Sequence, residues 1–241
     1  MKILKFTLVF FISFISFGQD FKSYVTIEKN KFNSSKKANI AYDKGTNFFN
    51  IGDYDNAIAQ FTITIEDDKK QKYFSTDAYI NRAAAYIQIN DFTRAINDYS
   101  EVINFEKDAS FLKTALIGRA GVYASMEDFD KAISDFKKAI DLKLNDVDAF
   151  YNLSSLYLQM GDYKSVLEYS LLAENNYKKQ DLNNLLLLGY IYFNKGVAKY
   201  FLNISSYCDD FTQSIKFKIS MNKYQLQFIE NTCPKIITTN H

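Results

Sequence analysis

Small and aromatic residues recur at helical spacing along most of this chain. Each of four aromatic residues is followed three positions later by a small or branched residue. In the first three of these segments, or copies, a second aromatic follows four positions after the small residue, as with Ala57 and Phe61. Offsets of three and four residues lie on one face of an α-helix, so each copy predicts a helix with one inward stripe. Each of these aromatics follows an aspartate, at Asp53, Asp91, Asp128 and Asp162.

A second stripe precedes each Asp-aromatic pair. Nine and six residues before the aromatic lie Gly45 and Phe48, Ala83 and Tyr86, Ala120 and Tyr123, and Ser154 and Tyr157. This predicts a first helix antiparallel to the helix that follows, and the small side chains let the two approach closely. Each aspartate then lies in the turn between them, where its carboxylate accepts backbone N–H bonds. The repeated aspartate is therefore predicted to be a helix cap, not a catalytic acid.

The copies follow one another at intervals of 38, 37 and 34 residues, a period typical of helical solenoids. The order of these residues resembles the tetratricopeptide repeat: a small residue and an aromatic in the first helix, then the aspartate-aromatic pair, then an alanine and an aromatic in the second helix. We assign four repeats to residues 38–71, 76–109, 113–146 and 147–180. None of them contains the proline common in the family, and Val166 and Ser170 replace alanine and the aromatic in the fourth. The resemblance implies an all-α, right-handed α-solenoid of antiparallel helix pairs.

The register blurs after residue 180. Residues 181–202 are apolar on nearly every side and predict a long buried helix, and a shorter helix over residues 206–217 places Phe211 where a second-helix aromatic belongs. We assign residues 181–218 to a degenerate fifth repeat. Residues 219–241 then form a capping helix, over 222–233, and a tail, since a solenoid needs its last face covered.

The first 18 residues predict a signal peptide. Lys2 and Lys5 precede an apolar stretch over residues 6–17, and Ser16 and Gly18 form a small-residue cleavage site. The stretch is shorter than the roughly 20 residues that span a bilayer, so we expect no membrane span in the mature chain. Cleavage near Gly18–Gln19 predicts a periplasmic or secreted protein that begins with a flexible segment, residues 19–36.

Charge and composition argue against several classes of function. The 29 basic and 28 acidic residues nearly cancel, which disfavours binding to nucleic acid or to an anionic membrane. The single histidine is His241, so a Ser-His or Cys-His pair cannot form, and no glycine-rich phosphate loop occurs. We predict no catalytic residue, no metal site and no cofactor, and thus a protein that is not an enzyme.

Cys208 and Cys233 are the only cysteines. In an exported protein they are candidates for a disulfide that ties the terminal helix to the fifth repeat. Two buried free thiols are the alternative, whereas two thiols alone are too few ligands for a metal.

The resemblance also implies a partner-binding surface. In this family the first helix of each repeat lines a concave groove, and the matching positions here are polar, aromatic and nearly uncharged. They include no cationic clamp for a terminal carboxylate. The asparagine amides could bond a peptide backbone or could be helix-surface consensus. The predicted groove residues are Asn39, Tyr42, Asp43, Asn50, Asn81, Gln88, Tyr151, Asn152 and Gln159.

These observations predict a non-catalytic scaffold that binds a peptide or helix of another exported protein. The alternative is a permanently docked subunit of an envelope secretion or assembly complex, in which the hydrophobic fifth repeat is the main interface. A hydrolase or a glycan-binding protein is disfavoured, since the chain has no tryptophan and no internal histidine. We expect a monomer unless the chain is docked in a larger complex.

Overall fold

The computed structural model of this chain describes residues 35–70, 75–142, 147–180 and 183–235. Within these ranges every regular element is an α-helix, which confirms the all-α prediction. The helices are α1 Lys36–Asn50, α2 Tyr54–Lys70, α3 Thr76–Gln88, α4 Phe92–Phe105, α5 Ala109–Ser125, α6 Phe129–Asp141, α7 Val147–Met160, α8 Tyr163–Lys179, α9 Leu185–Phe201, α10 Tyr207–Lys216 and α11 Lys223–Thr232.

Some predictions fall outside these ranges. The proposed signal peptide and nearly all of the segment called flexible lie outside the described residues, as does the tail after Lys235. The last two residues of that segment, Ser35 and Lys36, belong to the folded part. The Ser35 hydroxyl oxygen accepts a hydrogen bond from the backbone N–H of Ala38 and thereby caps α1, which begins at Lys36.

The turn inside each helix pair has one backbone design. The residue two before the aromatic has positive φ in all four clear repeats: Gly52, Asn90, Glu127 and Gly161, with φ between 60° and 84°. The next N–H then donates to the carbonyl five residues earlier, as from Asp91 to Tyr86 at 2.9 Å. This closure satisfies carbonyls that the helix end leaves open.

The repeated aspartates are helix caps, as predicted. The carboxylates of Asp91, Asp128 and Asp162 accept the backbone N–H three residues ahead, at 3.1, 3.4 and 3.2 Å. Asp53 does the same with Asn56 at 3.3 Å. Each carboxylate also binds a side chain of its own helix, and three of these carboxylates have a lowered pKa from such bonds, at Asp91, Asp128 and Asp162.

The predicted stripes form the core. In the second helix of each repeat the three stripe residues are buried, as with Ala57, Phe61 and Thr64. Gly45 lies so close to the Phe61 ring that an added Cβ would be 2.7 Å from it. Gly196 and Phe211 repeat this contact at 2.7 Å, which places Phe211 in the second-helix aromatic position of a fifth helix pair.

The helices divide into two compact groups, which are described separately. The N-terminal block contains α1–α6, in which consecutive helices pack on each other and the first helices α1, α3 and α5 also contact one another in sequence. The C-terminal block contains α7–α11, where α7, α8, α9 and α10 pack consecutively and α7 also contacts α9. In both blocks a first helix thus touches its own partner and the next first helix.

The fourth repeat packs without its aromatic. Ser170, in the aromatic position, donates its hydroxyl to Ser154 at 3.1 Å. Asn194 of α9 donates to the same Ser154 hydroxyl at 2.9 Å. A buried polar chain thus joins α8, α7 and α9, and each of its hydroxyls has a partner, as burial requires.

Candidate partner-binding surface

The structure separates the nine predicted groove residues into three groups. Asp43 and Asn50 are exposed, and Asn39, Gln88 and Asn152 are half-buried. The other four were expected to be open to a partner, and this is wrong, because each is at most 6% exposed. These buried side chains are Tyr42, Asn81, Tyr151 and Gln159.

In the N-terminal block, burial has a direct cause. The Asn81 amide donates to the Tyr42 hydroxyl at 2.7 Å, which joins first helices α1 and α3. Burial, and then the nearby carboxylate of Asp77, raise the pKa of Tyr42, so the hydroxyl that accepts this bond stays neutral. The two side chains therefore hold neighbouring repeats together.

The C-terminal block uses the same device. Asn194 lies two residues before Gly196, as Asn81 lies two before Ala83, and its amide donates to Ser154 and Ser155 of the preceding first helix at 2.9 Å each. The rings of Tyr151 and Tyr190 also meet between α7 and α9, with centroids 6.2 Å apart. The amide at this position therefore joins repeats in both blocks.

A second set of contacts between repeats escaped the sequence interpretation. Arg82 of α3 forms two hydrogen bonds with the Asp98 carboxylate of α4, at 2.8 and 2.7 Å. Its third nitrogen donates to Thr62 of α2 at 2.9 Å. One guanidinium thus joins both helices of its own repeat to the second helix of the repeat before.

The next repeat has the same arrangement. Arg119 binds the Asp135 carboxylate at 2.7 and 3.0 Å and donates to Ser100 of the preceding repeat at 2.8 Å. Sequence carries a signal for both pairs, since the arginine directly precedes the small residue of the first helix and the aspartate directly precedes the aromatic of the second. The Arg and Asp are 16 residues apart in each case.

A lysine takes this role in the fifth repeat. Lys195 contacts Asp210 at 2.9 Å within its repeat and also bonds Glu174 of the preceding α8. Lys199 and Lys178 bind the outer sides of the two carboxylates, at 2.6 Å each. The buried charges are thereby paired, and three helices meet at one ammonium group.

Glu174 gives this cluster a pH dependence. Burial raises the pKa of Glu174, but hydrogen bonds from Lys178 and Lys195 outweigh it and lower the pKa to about 2. Because the folded pKa lies below the unfolded one, the stabilisation is present above about pH 4.5 and is lost as pH falls through about 2.

We therefore expect Glu174→Gln to cost about 1–2 kcal/mol near pH 7, allowing for solvent screening through the exposed partner Lys178, and progressively less below pH 4.5. Urea unfolding of both proteins at pH 7, 4.5 and 3 measures the difference. A difference independent of pH would contradict the assignment. Lys138→Met, which removes an exposed lysine 3.7 Å from Asp135, is the surface control and should change stability little.

The described part of the chain contains no group of three or more histidine, cysteine or acidic side chains placed to hold a metal ion. No described helix combines the length and apolarity that crossing a membrane requires.

Comparison with known sequences gives consistent matches. A family model described as tetratricopeptide repeat matches residues 42–109, and a second model with that description matches residues 147–176. A third, described as TPR repeat, matches residues 121–161. Together these matches span just over half of the chain. No curated protein sequence matches it.

Solved structures share the arrangement of helices. A crystal structure of MamA protein is 17% identical over 76% of this chain and 92% of its own, with a TM-score of 0.59. The MamA 41-end structure from Desulfovibrio magneticus RS-1 is 12% identical over 77% of this chain and 97% of its own, with a TM-score of 0.61. At these identities the likeness concerns the fold alone.

Proposed function

Because this chain belongs to the tetratricopeptide repeat family, we propose that it is a non-catalytic protein-interaction scaffold. Its first helices would hold a peptide or helix of another exported protein. Stacked helical repeats expose extended surfaces that serve such binding, and first helix α1 carries the exposed polar side chains Asp43 and Asn50.

The observation that carries this proposal is the contrast along α1. Its inner side is fixed to α3 by the Tyr42–Asn81 hydrogen bond, while Asp43 and Asn50 remain exposed on the same helix. A helix whose other side is already fixed by packing loses little conformational entropy when a partner binds its exposed side. We infer that the exposed polar side chains of the first helices, not the buried amides, meet the partner.

A pair of lysine substitutions tests this surface. Asp43→Lys/Asn50→Lys alters two exposed residues of first helix α1, and we expect it to lower recovery of a co-purified partner at least tenfold, since it reverses one charge, adds another and puts long side chains into the interface. The matched control is Glu66→Lys/Asn97→Lys, which likewise changes one acidic residue and one asparagine to lysine, at exposed positions of second helices α2 and α4. Equal recovery with both variants would contradict the proposed surface.

The docked-subunit alternative loses support from the packing of the fifth repeat. Phe193 and Phe211 of this repeat are buried against each other, Phe211 also packs against Phe228 of α11, and the other aromatic side chains of the repeat are half-buried. Gel filtration of the complex from an envelope extract separates the two: a transient scaffold elutes as a monomer, whereas a docked subunit co-elutes with its assembly.

We also propose that the protein is exported. The proposal rests on the charged, apolar and small-residue order of residues 1–18. Intact mass of the protein from a periplasmic or secreted fraction should correspond to a chain that begins near Gln19. A cytoplasmic protein that retains Met1–Gly18 would contradict export without touching the scaffold proposal.

A further inference from the structure

The C-terminal helix α11 is a lid over a cluster of aromatic side chains. Phe228 of α11 lies 5.1 Å from the ring of Tyr200, 6.2 Å from that of Phe201 and 5.9 Å from that of Phe211, measured between centroids. Tyr207 adds contacts to Tyr200 and Phe211 at 5.3 and 6.3 Å. We call Tyr200, Phe201, Tyr207 and Phe211 the aromatic cluster.

The noncovalent hold on α11 is narrow. Only Gln225 and Ile229 of its ten residues are buried, with Phe228 and Thr232 half-buried, and the other six face solvent. An isolated helix of this length is unstable in water. The position of α11 therefore depends on these few contacts and on a covalent bond at its C-terminal end.

That bond is the disulfide between Cys208, in the first turn of α10, and Cys233, directly after α11, with Cα atoms 5.8 Å apart. It closes at the far end of α11 from the chain connection. The end of α11 nearer the chain connection is fixed as well, because Ile219 packs tightly against Gly189 of α9. A Cβ added to Gly189 would overlap with Cγ2 of Ile219. The segment between this contact and α11 is residues 220–222, in which Met221 packs against the cluster of buried residues around Phe211.

We propose that Cys208–Cys233 is a redox latch: a dithiol reductant opens it, α11 leaves its seat, and the aromatic cluster becomes exposed. A thiolate of the reductant attacks Sγ of Cys208, which is half-buried, whereas Cys233 is 3% exposed. The S–S bond breaks and its electron pair goes to Sγ of Cys233, which takes a proton. The second thiol of the reductant then displaces Cys208, so two thiols form here and one disulfide forms in the reductant.

Opening the latch should loosen α11 alone. A disulfide that closes a loop of this length stabilises the closed position of α11. Loss of the disulfide should therefore raise the population of the open position about 100-fold. The helices beneath keep the contacts between them, because Phe193 of α9 packs against Phe211 of α10, whereas opening uncovers the side of Phe211 that faces Phe228. Reduction is therefore a local change and leaves the α1 surface of the proposed function untouched.

The test is hydrogen exchange of the purified full chain with and without a small dithiol, followed in peptides of α7, α9 and α11. We expect exchange in residues 223–233 to accelerate about 100-fold on reduction. Binding of a hydrophobic dye should rise at the same time, while α7 and α9 stay protected. A Cys208→Ser/Cys233→Ser variant should show the same exchange without reductant.

Two matched variants separate the latch from general loosening. Ile229→Ala removes a fully buried contact of α11 and should accelerate its exchange further in the reduced protein but little in the oxidised one. Leu226→Ala, on the exposed side of the same helix, should change neither. The proposal is overturned if the purified protein has free thiols, if reduction leaves α11 protected, or if α7 and α9 lose protection together with it.

Discussion

Replacing Arg82 by methionine should destabilise the N-terminal block by about 3–5 kcal/mol, since it leaves a buried carboxylate without its bidentate partner. The Asp98 side chain is only 7% exposed. Burial raises the pKa of Asp98 and outweighs the hydrogen bonds from Arg82. Burial also lowers the pKa of Arg82, but the bonds from Asp98 more than restore it. The guanidinium is therefore held charged, while the carboxylate bears the desolvation cost.

The same reasoning predicts a recovery. Arg82→Met/Asp98→Leu removes both charges, and a buried apolar pair of similar size is often as stable as the ion pair it replaces. We expect the double variant to regain most of the loss in urea unfolding followed by circular dichroism. Arg94→Met, which breaks an exposed pair with Asp91, is the control and should have little effect. A double variant as unstable as the single one would contradict the role of Asp98.

Replacing Phe61 by alanine should cost about 3–5 kcal/mol, because a fully buried ring is lost and a cavity remains beside Gly45 and Tyr42. Unfolding by urea at neutral pH measures the loss. Exposed Phe105 on α4, 62% exposed, provides the matched control, and Phe105→Ala should change stability little. A Phe61 variant as stable as that control would show that the ring is not part of the core.

Substitution of the neighbouring glycine tests the same contact, because the direction of its effect on stability should depend on whether the Phe61 ring is present. Gly45→Ala should destabilise the natural protein, since its Cβ would lie 2.7 Å from the Phe61 ring. In the Phe61→Ala background the ring is absent, and the same exchange should stabilise by up to about 1 kcal/mol through helix propensity. The same sign in both backgrounds would contradict the close contact.

The periodic positions were predictable because each reports a local constraint. An aspartate before an aromatic marks a cap whose geometry is set within four residues, and offsets of three and four residues fix the buried stripe of a single helix. Asp128 and Phe136 therefore lie where the sequence places them. The fourth repeat departs at Ser170, where sequence showed a missing aromatic but not the hydroxyl chain to Ser154 and Asn194 that replaces it.

Contacts between repeats were less predictable. Whether Asn81 faces a partner or Tyr42 depends on how closely α1 and α3 approach, and the spacing within one helix carries no such information. Arg82 and Asp98 stand directly beside stripe residues, but within one repeat nothing distinguishes them from the single charged residues on helices that usually are solvated. Comparing repeats at these neighbouring positions, as with Arg119 and Asp135, would have found the pairs.

The central claim, that the exposed side of the first helices binds a protein, is tested most directly by site-specific photo-crosslinking in cells. A photoreactive residue at position 43 or 50 of α1 should capture one and the same protein, whereas at positions 66 and 97 of the second helices it should capture none. Absence of any captured protein at 43 and 50, or equal capture at all four positions, would contradict the account.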